Sequence, residues 1–364
     1  MAKKKNVIDM DLFCSAKEAL NIEKSKSVLS VSPSIDFRMG GGILEGSFLL
    51  IQGKQKAGKS LTCMEIAVNG LKGGRSVFYF DTECRMTASK YFSIEGFDLL
   101  NHPKFFLMNS ESSSDGEIIA GDKMYGIIIQ MMKMPKYKGS VYIIDSLSSV
   151  ITQDCLDDPE VSHQKRDPVP KLNSDFCKKV APFIRRSNAI LVGVQHLAIS
   201  QNPAMHGALE PIGGSKLLYQ CDLVLLSKHN QLTLDGDNVS SGFEKGSQET
   251  NGLLIRYDLV CNKLLAPFVA KERTEKIQNY YKFGKGCWKS REMIDVLDNL
   301  GLVTYGKSGW ITFLTDKISD KVQGAEKAAD IIENNIEYFE GVLKKYYEDT
   351  YGINYNYVPT EDDE

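Results

Sequence analysis

Gly53-Lys54-Gln55-Lys56-Ala57-Gly58-Lys59-Ser60 follows the apolar run Phe48-Leu49-Leu50-Ile51-Gln52 and precedes Leu61 to Gly70, a segment of helical length. The eight residues fit G-x-x-x-x-G-K-[ST] at every fixed position, and the strand before and the helix after are the context its mechanism demands. Glycines let backbone N–H groups face phosphates, and the helix presents its positive N-terminal end to them. Lys59 is placed to reach β- and γ-phosphates and Ser60 to offer a hydroxyl to Mg²⁺, while Gly53, Lys54, Gln55, Lys56, Ala57, Gly58 and Leu61 complete the cradle. A chance glycine-rich turn would need neither flanking element.

Working outward, apolar runs recur at Ser76 to Phe80, Lys104 to Met108, Val141 to Ile144, Ala189 to Val194 and Leu223 to Leu226. They lack alternation, which suits strands buried on both faces, as in parallel sheets. Between them, Leu61 to Leu71, Gly121 to Met134 and Leu172 to Arg185 have helical length and period. The expected class is therefore α/β, a mostly parallel central sheet flanked by helices.

Two strand ends carry acids. Val141-Tyr-Ile-Ile-Asp145 reads as a Walker B strand, with Asp145 holding the Mg²⁺ shell through water. A strand-closing aspartate is by default a turn or cap residue, and the complete phosphate loop earlier in the chain tips the reading toward metal. Hydrolysis needs a carboxylate to activate water. Glu83, just past the strand Val77-Phe-Tyr-Phe-Asp81, is the candidate, with Asp81 its competitor and two solvated acids the bland alternative.

A net charge of −3 over 364 residues excludes a uniformly basic coat on nucleic acid but not a local cationic groove. The eight cysteines show no CxxC pair or Cys/His cluster, so reduced thiols in a cytoplasmic protein are expected. No apolar run approaches the roughly 20 residues of a membrane helix, so no membrane partner is expected. Residues 1–30 read as a polar arm with Phe13 as its candidate anchor. Residues 31–281 read as the core, in which 228–252 form a hairpin or insertion. Residues 282–364 read as a small α+β C-terminal domain, with one long helical stretch from Asp320 to Tyr347 and an acidic tail, Glu361 to Glu364.

The order of motifs resembles the RecA-family recombinases, and specifically a divergent, phage-type member, over about Ser34 to Gly301. The likeness rests on Ile35-Asp-Phe with Gly40 to Gly42, the phosphate loop, Phe80-Asp81-Thr82-Glu83, Ile144-Asp145-Ser146, Val194-Gln195, Gly213-Gly214 and Asn262-Lys263-Leu-Leu-Ala266-Pro267-Phe268. It implies an RecA-type phosphate-loop ATPase core, ATP and Mg²⁺ as cofactors, and cytoplasmic location, in the host's cytoplasm for a phage protein. It further implies Glu83 as catalytic base, Tyr91 stacked on adenine, Gln195 as γ-phosphate sensor, and Lys263 reaching the ATP of a neighbouring subunit. The partners implied are single- and double-stranded DNA, further copies of the chain in a helical filament, and single-strand-binding and loader proteins.

Two loops would face DNA, about 153–170 and 197–212, the second ending at Gly213-Gly214. The second offers Ile199 and Met205 as apolar wedges but contains no Lys or Arg. Phosphate contacts would then fall to Lys165, Arg166, Lys171 and Lys178, each of which taken singly reads as a solvated lysine or arginine. Cys261 stands where bacterial members carry a first lysine, and Gln195 is followed by His196. A ring-forming, helicase-like ATPase and a non-catalytic ATP-binding accessory protein share the phosphate loop. The signature around Lys263 and the Gly213-Gly214 loop argue against rings, while the reduced lysine pair leaves the accessory reading open.

Overall fold

The computed structural model describes residues 15, 17–18, 21, 25–86, 94, 97–109, 118–158, 167–200, 207–234, 237–238, 251–264 and 278–356. Met205, Tyr91, Lys165, Arg166, Phe13, 265–277 and the acidic tail lie outside them. The chain enters through β1 (Val28–Leu29), helix α1 (Pro33–Met39) and β2 (Ile43–Leu44), β1 pairing antiparallel with β2. Ser32 caps α1 by accepting from the Ile35 amide, and Pro33, whose missing N–H costs nothing in a first turn, begins it.

The core then alternates strand and helix: β3 (Phe48–Gly53), α2 (Lys59–Lys72), β4 (Val77–Asp81), β5 (Phe105–Met108), α3 (Gly121–Met132), β6 (Val141–Asp145), the short α4 (Gln153–Asp157), α5 (Val169–Arg186) and β7 (Ile190–Ile199). It continues through β8 (Leu209–Pro211), α6 (Leu217–Gln220), β9 (Leu223–Leu234), β10 (Asp237–Asn238), β11 (Gly252–Asn262), β12 (Asn279–Lys282) and β13 (Gly286–Cys287). The strands form one sheet ordered β13-β12-β11-β9-β3-β7-β6-β4-β5. Pairing is parallel from β9 to β5 and antiparallel from β9 to β13. This is the RecA-type α/β core that the sequence predicts.

Burial explains the unbroken apolar runs. Leu49 and Ile51 of β3 pack with Cys63, Ile66 and Ala67 of α2 on one face. Phe48 and Leu50 pack with Ile128 of α3 and Phe176, Val180 and Ile184 of α5 on the other. Successive side chains of a strand point to opposite faces, so a strand covered on both sides must be apolar at every position.

The C-terminal part has its own cluster, built from α7 (Lys289–Asn299), β14 (Val303–Tyr305), β15 (Trp310–Phe313), β16 (Lys321–Gln323), α8 (Ala325–Glu333) and α9 (Ile336–Tyr351), with Phe37 of α1 against it. The single helix expected from Asp320 to Tyr347 is corrected here. Lys321–Gln323 pairs with β15, α8 begins only after Gly324 at φ 96°, and Asn334-Asn335 separates α8 from α9. Fully buried Glu292 of α7 ties the two parts: it accepts from the Ser34 amide and hydroxyl, the Asn279 amide group and the Tyr280 N–H. No helix of the described residues is long and apolar enough to cross a membrane.

Residues 27–29, assigned to an arm by composition, are buried in the core. Arg75, 1% exposed, fixes them by donating to Ser27 Oγ at 2.5 Å, to Glu45 Oε1 at 2.8 Å and to Gly139 O at 2.6 Å. Removing one partner of a buried pair leaves the other charge uncompensated. Arg75→Ala is expected to lower unfolding free energy by about 3–5 kcal/mol, read by denaturant titration; a change below about 1 kcal/mol would contradict this anchoring role.

Candidate nucleotide site

The loop between β3 and α2 takes its shape from backbone constraints. Gly58 sits at φ 81°, and a Cβ there would fall 2.1 Å from Ile255 Cδ1. A Cβ on Gly53 would lie 2.9 Å from Ser227 Cβ, and the Ser227 hydroxyl donates to Ala57 O at 2.8 Å. Neither glycine tolerates a side chain without movement of β9 or β11. Lys59, 4% exposed, turns back over the loop and donates to Gly53 O at 3.1 Å and Lys54 O at 2.6 Å. Burial pushes its ammonium below the ordinary lysine value, against the pull of Asp145 and Glu83.

A cavity of about 570 Å³ opens over this loop. Gln55 to Leu61 line one wall, with Asp81, Glu83, Asp145 and His196 facing them. Ser60 Oγ donates to Asp145 Oδ2 at 2.7 Å, and so does the hydroxyl of Tyr79, also at 2.7 Å, from inside β4. A hydroxyl and a carboxylate side by side are hard oxygen donors of the kind Mg²⁺ takes. Lys54 is exposed beside the cavity.

Glu83 and Asp81 occupy different roles in the geometry. The Asp81 carboxylate accepts from the Met86 amide at 2.7 Å and so closes its own turn. Glu83 Oε1 receives the hydroxyls of Ser146 at 3.1 Å and Ser149 at 3.3 Å and meets His196 Nε2, while Oε2 pairs with Arg85 at 3.3 Å. Thr82 fixes this relation, its amide donating to Asp145 O, its hydroxyl donating to Ser146 O and accepting from the Ser146 amide. Burial acts to raise the Glu83 carboxyl, but His196, Ser146 and Arg85 outweigh it and hold the group below the ordinary glutamate range.

Gln195 is fully buried and is not among the described residues that line the cavity. Its Oε1 accepts from Gln52 Nε2 at 2.7 Å, and its Nε2 donates to Ile212 O at 3.0 Å and Gly214 O at 2.8 Å. His196, the next residue, points the other way and reaches the cavity, as strand alternation requires. Lys263 also lies off the cavity, its Nζ donating to Tyr219 O and Cys221 O of its own chain.

The second expected loop is shorter than 197–212. β7 runs to Ile199, and Leu197 to Ile199 pair with Leu209 to Pro211 of β8, so the segment is the stem of a hairpin. Ile199, the last residue of β7, is 62% exposed. Gly213 and Gly214, at φ 83° and 112°, pack against Asn173 and Pro170 at the start of α5, next to Lys171. Lys171 and Lys178 are both exposed, two turns apart on one face of α5.

Sequence reading missed Tyr79, His196 and the wall formed by Tyr281, Lys282, Phe283 and Gly286 of the β12–β13 hairpin. A tyrosine in a doubly buried strand signals a hidden hydroxyl partner. Nothing local in 278–287 announces a nucleotide site.

No family model matches the chain. It is 21% identical to the RecA protein of Rippkaea orientalis, over 93% of this chain and 88% of that one. It is 23% identical to RecA of Aquifex pyrophilus, over 90% and 84%, and 20% identical to RecA of Bdellovibrio bacteriovorus, over 91% and 78%. The chain is thus distantly similar to RecA proteins over most of its length. The similarity of this RecA-like chain spans the core and the C-terminal cluster together.

The lowered Glu83 carboxyl stabilises the fold above the ordinary glutamate value, and that contribution is lost as pH falls through the lowered one. His196→Ala removes the foremost contact holding it down, so the Glu83 midpoint should rise in a carboxyl ¹³C NMR titration. An unmoved midpoint would show that His196 does not hold the carboxylate.

Proposed function

We propose that the chain is an ATP-dependent DNA recombinase of divergent, phage type that assembles with ATP and Mg²⁺ on single-stranded DNA and pairs that strand with homologous duplex. The observation that carries this is the convergence of Lys59, the Ser60–Asp145 pair and Glu83 on one cavity, with Gln195 behind it bonded to the end of the second loop.

On this reading the loop amides and Lys59 bind the β- and γ-phosphates, and Lys59 exchanges its two loop carbonyls for phosphate oxygens. Ser60 would hold Mg²⁺ by its hydroxyl and Asp145 through water, and the ion would offset the charge of the phosphates. Tyr79 fixes the Asp145 carboxylate by occupying Oδ2. Glu83 orients the attacking water and takes its proton, and its lowered affinity for protons keeps it ionised and ready. Gln52 and Gln195 join the end of the phosphate-loop strand to Ile212 and Gly214, so a change at the nucleotide is felt at the loop. Lys263 and Tyr219, the latter 79% exposed, belong to the surface that meets the next protomer and its nucleotide. DNA backbone contacts come from Lys171 and Lys178 together with Lys165 and Arg166, and Ile199 with Met205 wedge between bases. Affinity for DNA and for ATP is then coupled and reciprocal.

Lys59→Ala is expected to abolish ATP binding and ATP-driven assembly. Glu83→Gln keeps binding and lowers turnover by about 10²–10⁴-fold, as loss of a general base does; normal turnover would remove Glu83 from that role. Tyr79→Phe raises the Mg²⁺ concentration needed for half-maximal nucleotide binding while leaving binding at saturating Mg²⁺ intact. The deciding measurement is ATPase rate with and without single-stranded DNA beside electron microscopy of the product. Closed rings would establish the helicase-like alternative. Turnover indifferent to DNA, with no joint molecules formed, would establish the accessory one.

A further inference from the structure

We propose that Glu65 reads the base of the bound nucleotide by accepting a hydrogen bond from its exocyclic amino group. The inference rests on the nucleotide-binding reading above and deepens it to a choice of base.

The cavity is polar at one end and apolar at the other. Lys59, Ser60, Asp145 and Glu83 make the polar end, whereas Leu61, Met64, Met86, Ile94, Tyr281 and Phe283 supply the apolar lining, which Arg85 and Lys282 share. Phosphates held over the loop leave only the apolar end for ribose and base. Glu65 lines that end from α2 and is 4% exposed. It follows Ser60 by five residues, about 7.5 Å along the helix at 1.5 Å per residue. Leu61, Met64 and Glu65 share the helix face that looks into the cavity, as their i, i+3 and i+4 spacing dictates.

The carboxylate is held at one oxygen and open at the other. Oε2 accepts from the Cys287 amide at 3.3 Å, and Gly286, at φ 86°, brings the β12–β13 hairpin close, a Cβ there lying 3.2 Å from the same oxygen. Among the described residues no hydrogen bond reaches Oε1. Lys289 and Lys72 act on the group only through their charge, outside ion-pair distance, and Lys282 lies over the Trp288 ring. Burial pushes the Glu65 carboxyl above the ordinary glutamate value, which is the mark of a buried acid short of donors.

A carboxyl oxygen with no donor accepts a hydrogen bond, so it favours a base that offers an N–H group there. Adenine offers its 6-amino group. Purine riboside triphosphate, which is ATP without that group, would cover Oε1 without offering it a donor, the kind of mismatch that discriminates most strongly.

Equilibrium binding of ATP and of purine riboside triphosphate is measured by calorimetry for the full chain, Glu65→Ala and Glu65→Gln, with circular dichroism to confirm folding. The unmodified chain should prefer ATP about tenfold or more, and the preference should fall to less than about twofold in Glu65→Ala and to an intermediate value in Glu65→Gln. Because each preference is a ratio within one protein, a general loss of affinity does not mimic it. An equal preference in the unmodified chain and both variants, or none in the unmodified chain, overturns the proposal while leaving nucleotide binding intact. Failure of the unmodified chain to bind either triphosphate overturns the nucleotide reading itself.

Discussion

The parallel register of β4, β6, β7 and β3 is the constraint on which the site depends. Gln52 faces Gln195, Gly53 faces His196 and Asp81 faces Asp145 across neighbouring strands. Parallel strands in register end at one edge, and connections returning over the sheet faces leave that edge as a crevice where backbone groups can meet a ligand. Four chain segments separated by tens of residues therefore deliver the phosphate loop, Glu83, Asp145 and His196 to one cavity. A slip of one residue in β4 against β6 would turn Tyr79 and Asp81 to the opposite face and break the bonds Thr82 makes to both Asp145 and Ser146.

Within that frame the charges are arranged to keep each other usable. A lysine buried to the degree of Lys59 loses solvation, which lowers its affinity for the proton, and the nearby carboxylates of Asp145 and Glu83 act against that loss. Two loop carbonyls hold its head over the place where phosphates would lie. Glu83 in turn collects two serine hydroxyls, a histidine and an arginine. Such a network is worth more in a low-dielectric crevice than its members singly, and it fixes geometry as well as charge.

Alternation along β7 sends Gln195 and His196 to opposite sides of the strand. Gln195 lies inside, bonded to Gln52 and to the Ile212 and Gly214 carbonyls, while His196 faces the cavity and touches Glu83. A continuous set of hydrogen bonds thus runs from the end of β3 to the base of the β7–β8 hairpin. The Ser148 hydroxyl adds a second link, accepting from the His196 amide and donating to Ile212 O.

By itself the sequence determined the class of fold and the phosphate loop, because both are local signals. A doubly buried strand must be apolar throughout, and the loop must carry glycine where its backbone adopts φ 81° and where β11 leaves no room for a Cβ. Asp145 and Glu83 could be singled out as candidates because Asp145 ends such a strand and Glu83 lies two residues past the end of one. Only the tertiary structure decided which residue of the Gln195-His196 pair faces the cavity, that Tyr79 reaches Asp145, and that the β12–β13 hairpin walls the site beside Glu65. Those relations depend on strand pairing and helix packing between segments as many as 222 residues apart, and no spacing along the chain encodes them. The same reason explains the misread C-terminal helix. Lys321–Gln323 is a strand because β15 lies beside it, not because its own residues forbid a helix.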